Sequence, residues 1–215
     1  MKNIAIYGFG GFGREVACLL NAINNHELTW NFVGFIDDGV EIGSECRYGK
    51  VIGDLGFVND YPESLNIVIA IANSQILKKL YSEITNPNIS FPNIIAPNVT
   101  FFDKESLKTG IGNLITFSCR VSCEVKIGNF NVINGAVSFG HDVQIGDYNV
   151  FNPSTRISGH CKIGNENFFG VQSLISQGIK IGNNTKIGLA SVVIRNTVDN
   201  KFYYGNPAKK VEGWD

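Results

Sequence analysis

From Ile115 to Val193 every sixth residue is large and apolar: Ile115, Val121, Ile127, Ile133, Phe139, Ile145, Phe151, Ile157, Ile163, Phe169, Ile175, Ile181, Ile187 and Val193. No polar residue interrupts the series. Within it Ile-Gly recurs at 127, 145, 163 and 181, a spacing of 18 residues or three hexads. A period of six matches neither a helix nor an alternating strand. It matches a solenoid, in which each hexad makes one flat face and three faces close one coil. Such fixed-period self-similarity decides the fold before any local propensity does. Neighbouring coils pair as parallel strands about 4.8 Å apart, so residues 18 apart in sequence become vertical neighbours.

The first residue of each hexad points into the prism. The fifth is small or apolar as well, as at Cys119, Val125, Val137, Val143, Thr155, Cys161, Ser173, Ile179, Thr185 and Ser191. Asn131, Asn149 and Asn167 are the exceptions. They lie 18 apart and stack as a polar ladder along one edge. Asparagine tolerates left-handed backbone, so these residues are expected to form a repeated corner. Upstream the phase breaks, because Ile111-Gly112 lies 16 residues before Ile127; residues 93–114 read as an irregular first coil. A coil cannot leave its end rungs open. The tail, with Phe202, Tyr203, Tyr204 and Trp214, is expected to cover the last one.

The first ninety residues follow another pattern. Asn3 to Tyr7 reads as a buried strand, Gly8-Phe9-Gly10-Gly11-Phe12-Gly13 as a glycine-rich turn, and Arg14 to Asn24 as a helix. Glycines at 8, 10 and 13 let a phosphate approach the backbone at a helix N-terminus. A second strand, Phe32 to Ile36, ends in Asp37-Asp38, where a carboxylate can bond a ribose hydroxyl or a base edge. A third, Leu65 to Ala72, leads to Asn73-Ser74, either of which can cap the helix Gln75 to Ile84. The bland alternative is an α/β unit whose glycines only make a tight turn. Ninety residues give room for one βαβ-type half, which suits a nucleotide sugar better than NAD. The organisation expected is a Rossmann-like half domain over 1–92, binding a nucleotide sugar, and a parallel β-helix over 93–215.

With 18 basic and 19 acidic residues the net charge is -1. That balance argues against a nucleic-acid or anionic-membrane partner. There is no apolar run of about 18 residues and no basic-then-apolar leader, so a cytoplasmic protein is expected. The five cysteines read as reduced, with Cys119 and Cys161 as packing residues.

Chemistry is expected in the coil. His26 sits in a polar connector and reads as solvated surface. His141 is the third residue of its hexad and should point outward, with Cys123 beneath it and Gly159 above. A glycine over a histidine leaves a backbone amide beside an imidazole, the donor and base that acyl transfer needs. Asp142 has Glu124 beneath and His160 above. It can orient His141, pair with His160, or do both. An outward, solvated histidine with no role is the competing reading. A metal centre built from three histidines is not assigned, since the coil offers only His141 and His160.

The hexads, the glycine run Gly8 to Val16, Asp37-Asp38, His141-Asp142 and the tail Gly205-Asn206-Pro207-Ala208-Lys209-Lys210-Val211 together resemble the bacterial sugar O-/N-acyltransferases. These are left-handed β-helix, hexapeptide-repeat transferases that include UDP-4-amino-sugar N-acetyltransferases and sialic acid O-acetyltransferases. The resemblance spans nearly the whole chain, and it alone supplies the left hand of the β-helix. It implies acetyl-CoA as co-substrate and a nucleotide-linked (UDP or dTDP) 4-amino sugar as acceptor, or a sugar hydroxyl in the O-acetyl branch. It implies a homotrimer with active sites between subunits. It makes His141 the general base and Asp142 its orienting acid. The acceptor would meet Gly8, Gly10, Gly11, Phe12, Gly13, Asp37, Asp38, Asn73 and Asn134. Acetyl-CoA would lie along Gly159, Gly188, Leu189, Ala190 and Ser191, with Lys209 and Lys210 near its phosphates. A departure is Val150, where some relatives carry a further histidine.

Overall fold

The structure, a computed structural model, describes residues Met1–Gly213 and divides into two compact units, Met1–Pro97 and Asn98 onward. Trp214, expected in the tail, lies outside the described residues.

The first unit runs β1 (Lys2–Tyr7), α1 (Gly11–His26), β2 (Trp30–Ile36), β3 (Glu45–Cys46), β4 (Gly49–Gly53), α2 (Leu55–Asp60), β5 (Leu65–Ile69), α3 (Ser74–Glu83) and β6 (Ile89–Ser90). The sheet order is β3-β4-β2-β1-β5-β6. Five strands are parallel, and β3 joins the edge antiparallel to β4. The unit thus carries more strands than a bare βαβ half. The additions are short pieces, β3, β4, α2 and β6, whose apolar runs are too brief to read from periodicity. Ile4, Ala5 and Ile6 of the central strand are wholly buried, which is why that segment reads as a continuous apolar run. Helix α1 covers it with Val16, Ala17, Leu19 and Leu20. The chain builds outward from β1 through β2 to β4, then returns to place β5 on the other side of β1. That reversal is a topological switch point, where the crevice beyond the strand ends opens.

The second unit is a parallel β-helix of two-residue strands in three sheets. One sheet stacks Leu114–Ile115, Val132–Ile133, Val150–Phe151, Phe168–Phe169 and Lys186–Ile187. The next stacks Thr100–Phe101, Arg120–Val121, Ser138–Phe139, Arg156–Ile157, Leu174–Ile175 and Val192–Val193. The third stacks Lys108–Thr109 through Lys180–Ile181. Register follows the 18-residue rule, for example Ser138 beside Arg156 and Phe139 beside Ile157. All fourteen apolar hexad positions are buried. Phe151 and Phe169 stack with ring centroids 4.6 Å apart.

The corner is not where the asparagines were expected to put it. The left-handed residue is the fourth of each hexad, whatever its type: Ser118, Glu124, Phe130, Ala136, Asp142, Tyr148, Ser154, His160, Glu166, Gln172, Asn184 and Ala190 all have φ between 48° and 62°. The ladder asparagines follow it and point inward, wholly buried. Asn131 Oδ1 accepts from both the backbone N–H and the side-chain amide of Asn149, and Asn149 Oδ1 does the same for Asn167. Each side chain therefore closes the hydrogen bonds of the next rung. The ladder also begins one rung earlier, at Asn113.

The phase break resolves simply. Thr109-Gly110, not Ile111-Gly112, lies under Ile127-Gly128, and the 18-residue step continues to Lys108 beside Lys126. Only below that does the step lengthen to 20, with Thr100 beside Arg120. At the other end it shortens to 16: Phe202–Gly205 lies parallel to Lys186–Ile187, then folds back on Ala208–Lys210 as an antiparallel hairpin. The tail thus forms the final rung of the first sheet.

Candidate active site

Asp142 and His160 occupy left-handed corner positions, φ 59° and 58°, on successive rungs of one corner. The turn swings Asp142 round to the side of its chain neighbour, so two adjacent residues share one face. His141 Nδ1 lies 2.8 Å from Asp142 Oδ2. His160 Nδ1 lies 3.7 Å from the same oxygen. The two imidazoles meet edge to face, centroids 4.7 Å apart. Asp142 Oδ2 is thus within hydrogen-bond distance of His141 and close to His160, beyond hydrogen-bond distance. The rungs are locked by His160 N–H to the His141 carbonyl, 2.8 Å, and Asp142 N–H to the Cys123 carbonyl, 3.1 Å.

The His141 ring lies where a side chain on Gly159 would be. A Cβ built on Gly159 would stand 2.7 Å from His141 Nε2 and 2.8 Å from Cε1. With Nδ1–H donated to the carboxylate, Nε2 carries the free lone pair, beside Gly159. The Gly159 amide finds no acceptor among the described residues. A base nitrogen and a backbone N–H thus stand together on one open corner, with His141 and Asp142 side chains 48% and 46% exposed. Acid–base work needs that access to a reacting proton.

The coil does not bring every candidate to this corner. Asn134 and the run Gly188, Leu189, Ala190, Ser191 belong to a different corner, and the latter meets the terminal hairpin. Ser191 Oγ accepts the Gly205 N–H at 3.0 Å. Gly188 leaves room for the Tyr204 ring. Lys209 lies on the hairpin beside Tyr204, and Lys210 pairs with Glu212 at 3.0 Å.

The glycine-rich turn has the geometry of an anion site. Gly8 has φ 115°, and a Cβ there would stand 3.0 Å from the Ala70 carbonyl oxygen at the end of β5. A Cβ on Gly13 would fall on the Gly8 carbonyl oxygen. Both glycines are thus required for α1 to start against the strand ends. Gly10 caps α1 without a side-chain bond, and no acidic residue lies in its first turn. The amides of Gly11, Phe12 and Gly13 are left facing an open helix N-terminus. The two aspartates behave differently from a simple ligand pair. Asp37 accepts Phe9 N–H at 2.8 Å and Gly39 N–H at 2.9 Å, which shapes the turn. Asp38 takes the Tyr7 hydroxyl at 2.6 Å and the Leu55 N–H at 2.9 Å. Burial, then the Asp38 carboxylate, pushes the Tyr7 phenol far above its ordinary value. Asn73 caps α3, accepting from Ile76 N–H at 3.0 Å. Sequence reasoning missed Tyr7, whose position as the last residue of a buried strand before the glycines was the available signal.

Among the described residues no helix is long and apolar enough to cross a membrane. Residues 3–84 match the PglD N-terminal domain family. No curated protein matches the chain. Among solved structures, WeeI from Acinetobacter baumannii AYE is 28% identical over 98% of this chain and 100% of its own, with a TM-score of 0.88. The acetyltransferase domain of PglB from Neisseria gonorrhoeae FA1090, in complex with acetyl coenzyme A, is 26% identical over 98% and 99%, TM-score 0.87. PerB from Caulobacter crescentus, in complex with CoA and GDP-perosamine, shares the fold at 23% identity over 98% of each chain, TM-score 0.87. Residues 3–84 thus match the PglD N-terminal domain family, and the chain that carries them is an acyltransferase with the fold of the left-handed β-helix, hexapeptide-repeat acetyltransferases.

Proposed function

We propose that this chain transfers the acetyl group of acetyl-CoA to the amine of a nucleotide-linked 4-amino sugar, carried on UDP or dTDP, in surface-glycan biosynthesis. The observation that carries the reading is the His141–Asp142 pair set against the Gly159 amide. The acetyl-CoA bound by the PglB acetyltransferase domain supports the co-substrate. The amine nitrogen attacks the thioester carbonyl carbon directly. His141 Nε2 takes the proton that the amine loses, Asp142 holds the ring through Nδ1, and the Gly159 N–H donates to the developing oxyanion. The C–S bond then breaks and coenzyme A leaves as its thiolate, which the imidazolium protonates. Cys123 lies exposed on the rung below, but direct transfer needs no acyl-enzyme. Alignment of two bound substrates supplies most of the acceleration. Gly8 to Gly13 receive the nucleotide phosphates. Asp37 acts there chiefly by holding the turn, and Asp38 and Asn73 border it. Asn134 contacts the acceptor, while Gly188 to Ser191, Lys209 and Lys210 run along the coenzyme. The enzyme works as a cytoplasmic homotrimer.

The test is thiol release from acetyl-CoA with UDP- and dTDP-4-amino sugars, free sialic acid and CMP-sialic acid as acceptors. Turnover with an amino-sugar nucleotide, reduced roughly 10²–10⁴-fold in His141→Ala with acetyl-CoA binding kept, is the expected result. Turnover with a sialic acid alone would move the activity to O-acetylation. A fully active His141→Ala would remove the base.

A further inference from the structure

We propose that His141, Asp142 and His160 bind a zinc-class transition-metal ion, and that the bound ion switches the base off. Counting histidines gave the coil two ligands. The fold supplies a third of another kind, because the corner turns Asp142 between the two imidazoles. One oxygen, Asp142 Oδ2, faces Nδ1 of both His141 and His160, at 2.8 and 3.7 Å. One ligand atom from each of the three residues lies within 4.8 Å of the others. Zinc bonds of about 2.0–2.1 Å in a tetrahedron set ligand atoms roughly 3.3 Å apart. The two observed distances straddle that value, and side chains half exposed to solvent have room to adjust. The backbone beneath them is pinned rung to rung by the His160–His141 and Asp142–Cys123 main-chain bonds.

Two imidazole nitrogens and one carboxylate oxygen are a donor set for zinc, cobalt or nickel. Calcium and magnesium want more oxygens than one carboxylate offers. The open corner leaves the fourth position to water. The consequence for the chemistry, which rests on the function proposed above, follows from the tautomer. An ion on His141 Nδ1 displaces the proton held there against Asp142. A neutral imidazole then carries its proton on Nε2. The nitrogen beside Gly159 becomes a donor and can no longer accept a proton from the amine. Metal binding and base catalysis thus exclude one another.

Binding is measured first and without turnover: Zn²⁺ by calorimetry and Co²⁺ by its visible absorption, on the full chain with thiols kept reduced. One ion per chain is expected, with nitrogen- and oxygen-type cobalt bands. His160→Gln removes one ligand from a half-exposed position and should fold normally. Loss of a group that only hydrogen-bonds a ligand costs a metal site roughly 10–100-fold, so loss of a ligand should weaken binding at least that much. Cys123→Ser should bind as the wild type does. No saturable binding to wild type, equal binding by His160→Gln, or loss in Cys123→Ser would each overturn the site. Zinc should inhibit acetyl transfer by wild type, reversibly with a chelator, and leave His160→Gln active and insensitive. Saturating zinc that leaves wild-type turnover unchanged would overturn the switch while the site itself stood. Binding without any acetyl transfer in metal-free enzyme would sink the proposed function instead.

Discussion

Gly159→Ala separates the chemistry of the site from its folding. The new Cβ would lie 2.7 Å from His141 Nε2, 2.8 Å from Cε1 and 3.1 Å from Cδ2, all on one ring. Moving the closest contact out to the 3.4 Å at which ordinary van der Waals contact begins takes about 0.7 Å. The ring is the far end of a side chain that is 48% exposed, so it can retreat into solvent. The cost in stability should stay near that of a surface change, about 0.5 kcal/mol. The cost in rate should be far larger. Retreat draws Nδ1 from its 2.8 Å bond with Asp142 and carries Nε2 off the line between acceptor and Gly159 amide. A reacting group misplaced by about 1 Å loses roughly 10²-fold in rate, or about 2.7 kcal/mol of transition-state stabilisation. The assay is kcat for thiol release beside the urea midpoint of the same preparation. Wild-type kcat would refute the reasoning, since the ring would then be free to work from elsewhere. A collapse of the urea midpoint in step with kcat would refute it too, because Gly159 would then serve the coil and not the imidazole.

Asn149→Ala attacks the buried ladder: it strands the Asn167 backbone N–H and one hydrogen of its side-chain amide. At about 1–3 kcal/mol for each unsatisfied buried donor, urea denaturation should show a loss of roughly 2–6 kcal/mol, and a loss under about 1 would deny the ladder its role. Gly13→Ala sets a Cβ on the Gly8 carbonyl oxygen, backbone against backbone, so α1 must lift from the strand ends. Calorimetric titration with UDP and dTDP should show binding abolished, and unchanged binding would move the nucleotide away from this turn. Burial pushes the Cys119 thiol up to about 11 and raises Cys161 as well. Both therefore stay protonated and unreactive at pH 8, whereas exposed Cys18 and Cys123 should react promptly with a disulfide reagent. Equal rates for all four in the native protein would contradict the buried placement.

The coil was legible because its period is its contact map. Once residues 18 apart are vertical neighbours, Cys123, His141 and Gly159 fall in line, as do Glu124, Asp142 and His160. The rule fails only where the step changes, to 20 at Thr100–Arg120 and to 16 at Ile187–Tyr203. Both lie at the ends of the coil, where a change of step leaves the register of the inner rungs intact. The corner was misread because a polar residue in a buried row looks like a turn residue. Asn131 and Asn149 are polar for another reason, to finish the hydrogen bonds of the next rung inside the prism. In the first unit the position of Asp37 and Asp38 at a strand end was legible. Their use by Phe9, Gly39, Tyr7 and Leu55 was not, since it depends on loops that carry no period.

What belongs to the scaffold must be separated from what belongs to the site. A left-handed, non-glycine residue costs roughly 1 kcal/mol or more and often marks functional strain. Here that inference would mislead. Phe130, Glu166 and Gln172 share the conformation of Asp142 and His160, and the strain is distributed along the whole coil, held by rung-to-rung hydrogen bonds. The fold would turn position 142 the same way with any side chain there. The particular features are therefore chemical: a carboxylate at one corner, histidines beside and above it, and a glycine that yields its side-chain volume to the His141 ring. A solenoid presents the same turn on every rung, and three residues, His141, Asp142 and Gly159, would be enough to make one of those turns the base, orienting acid and oxyanion donor of the proposed transfer.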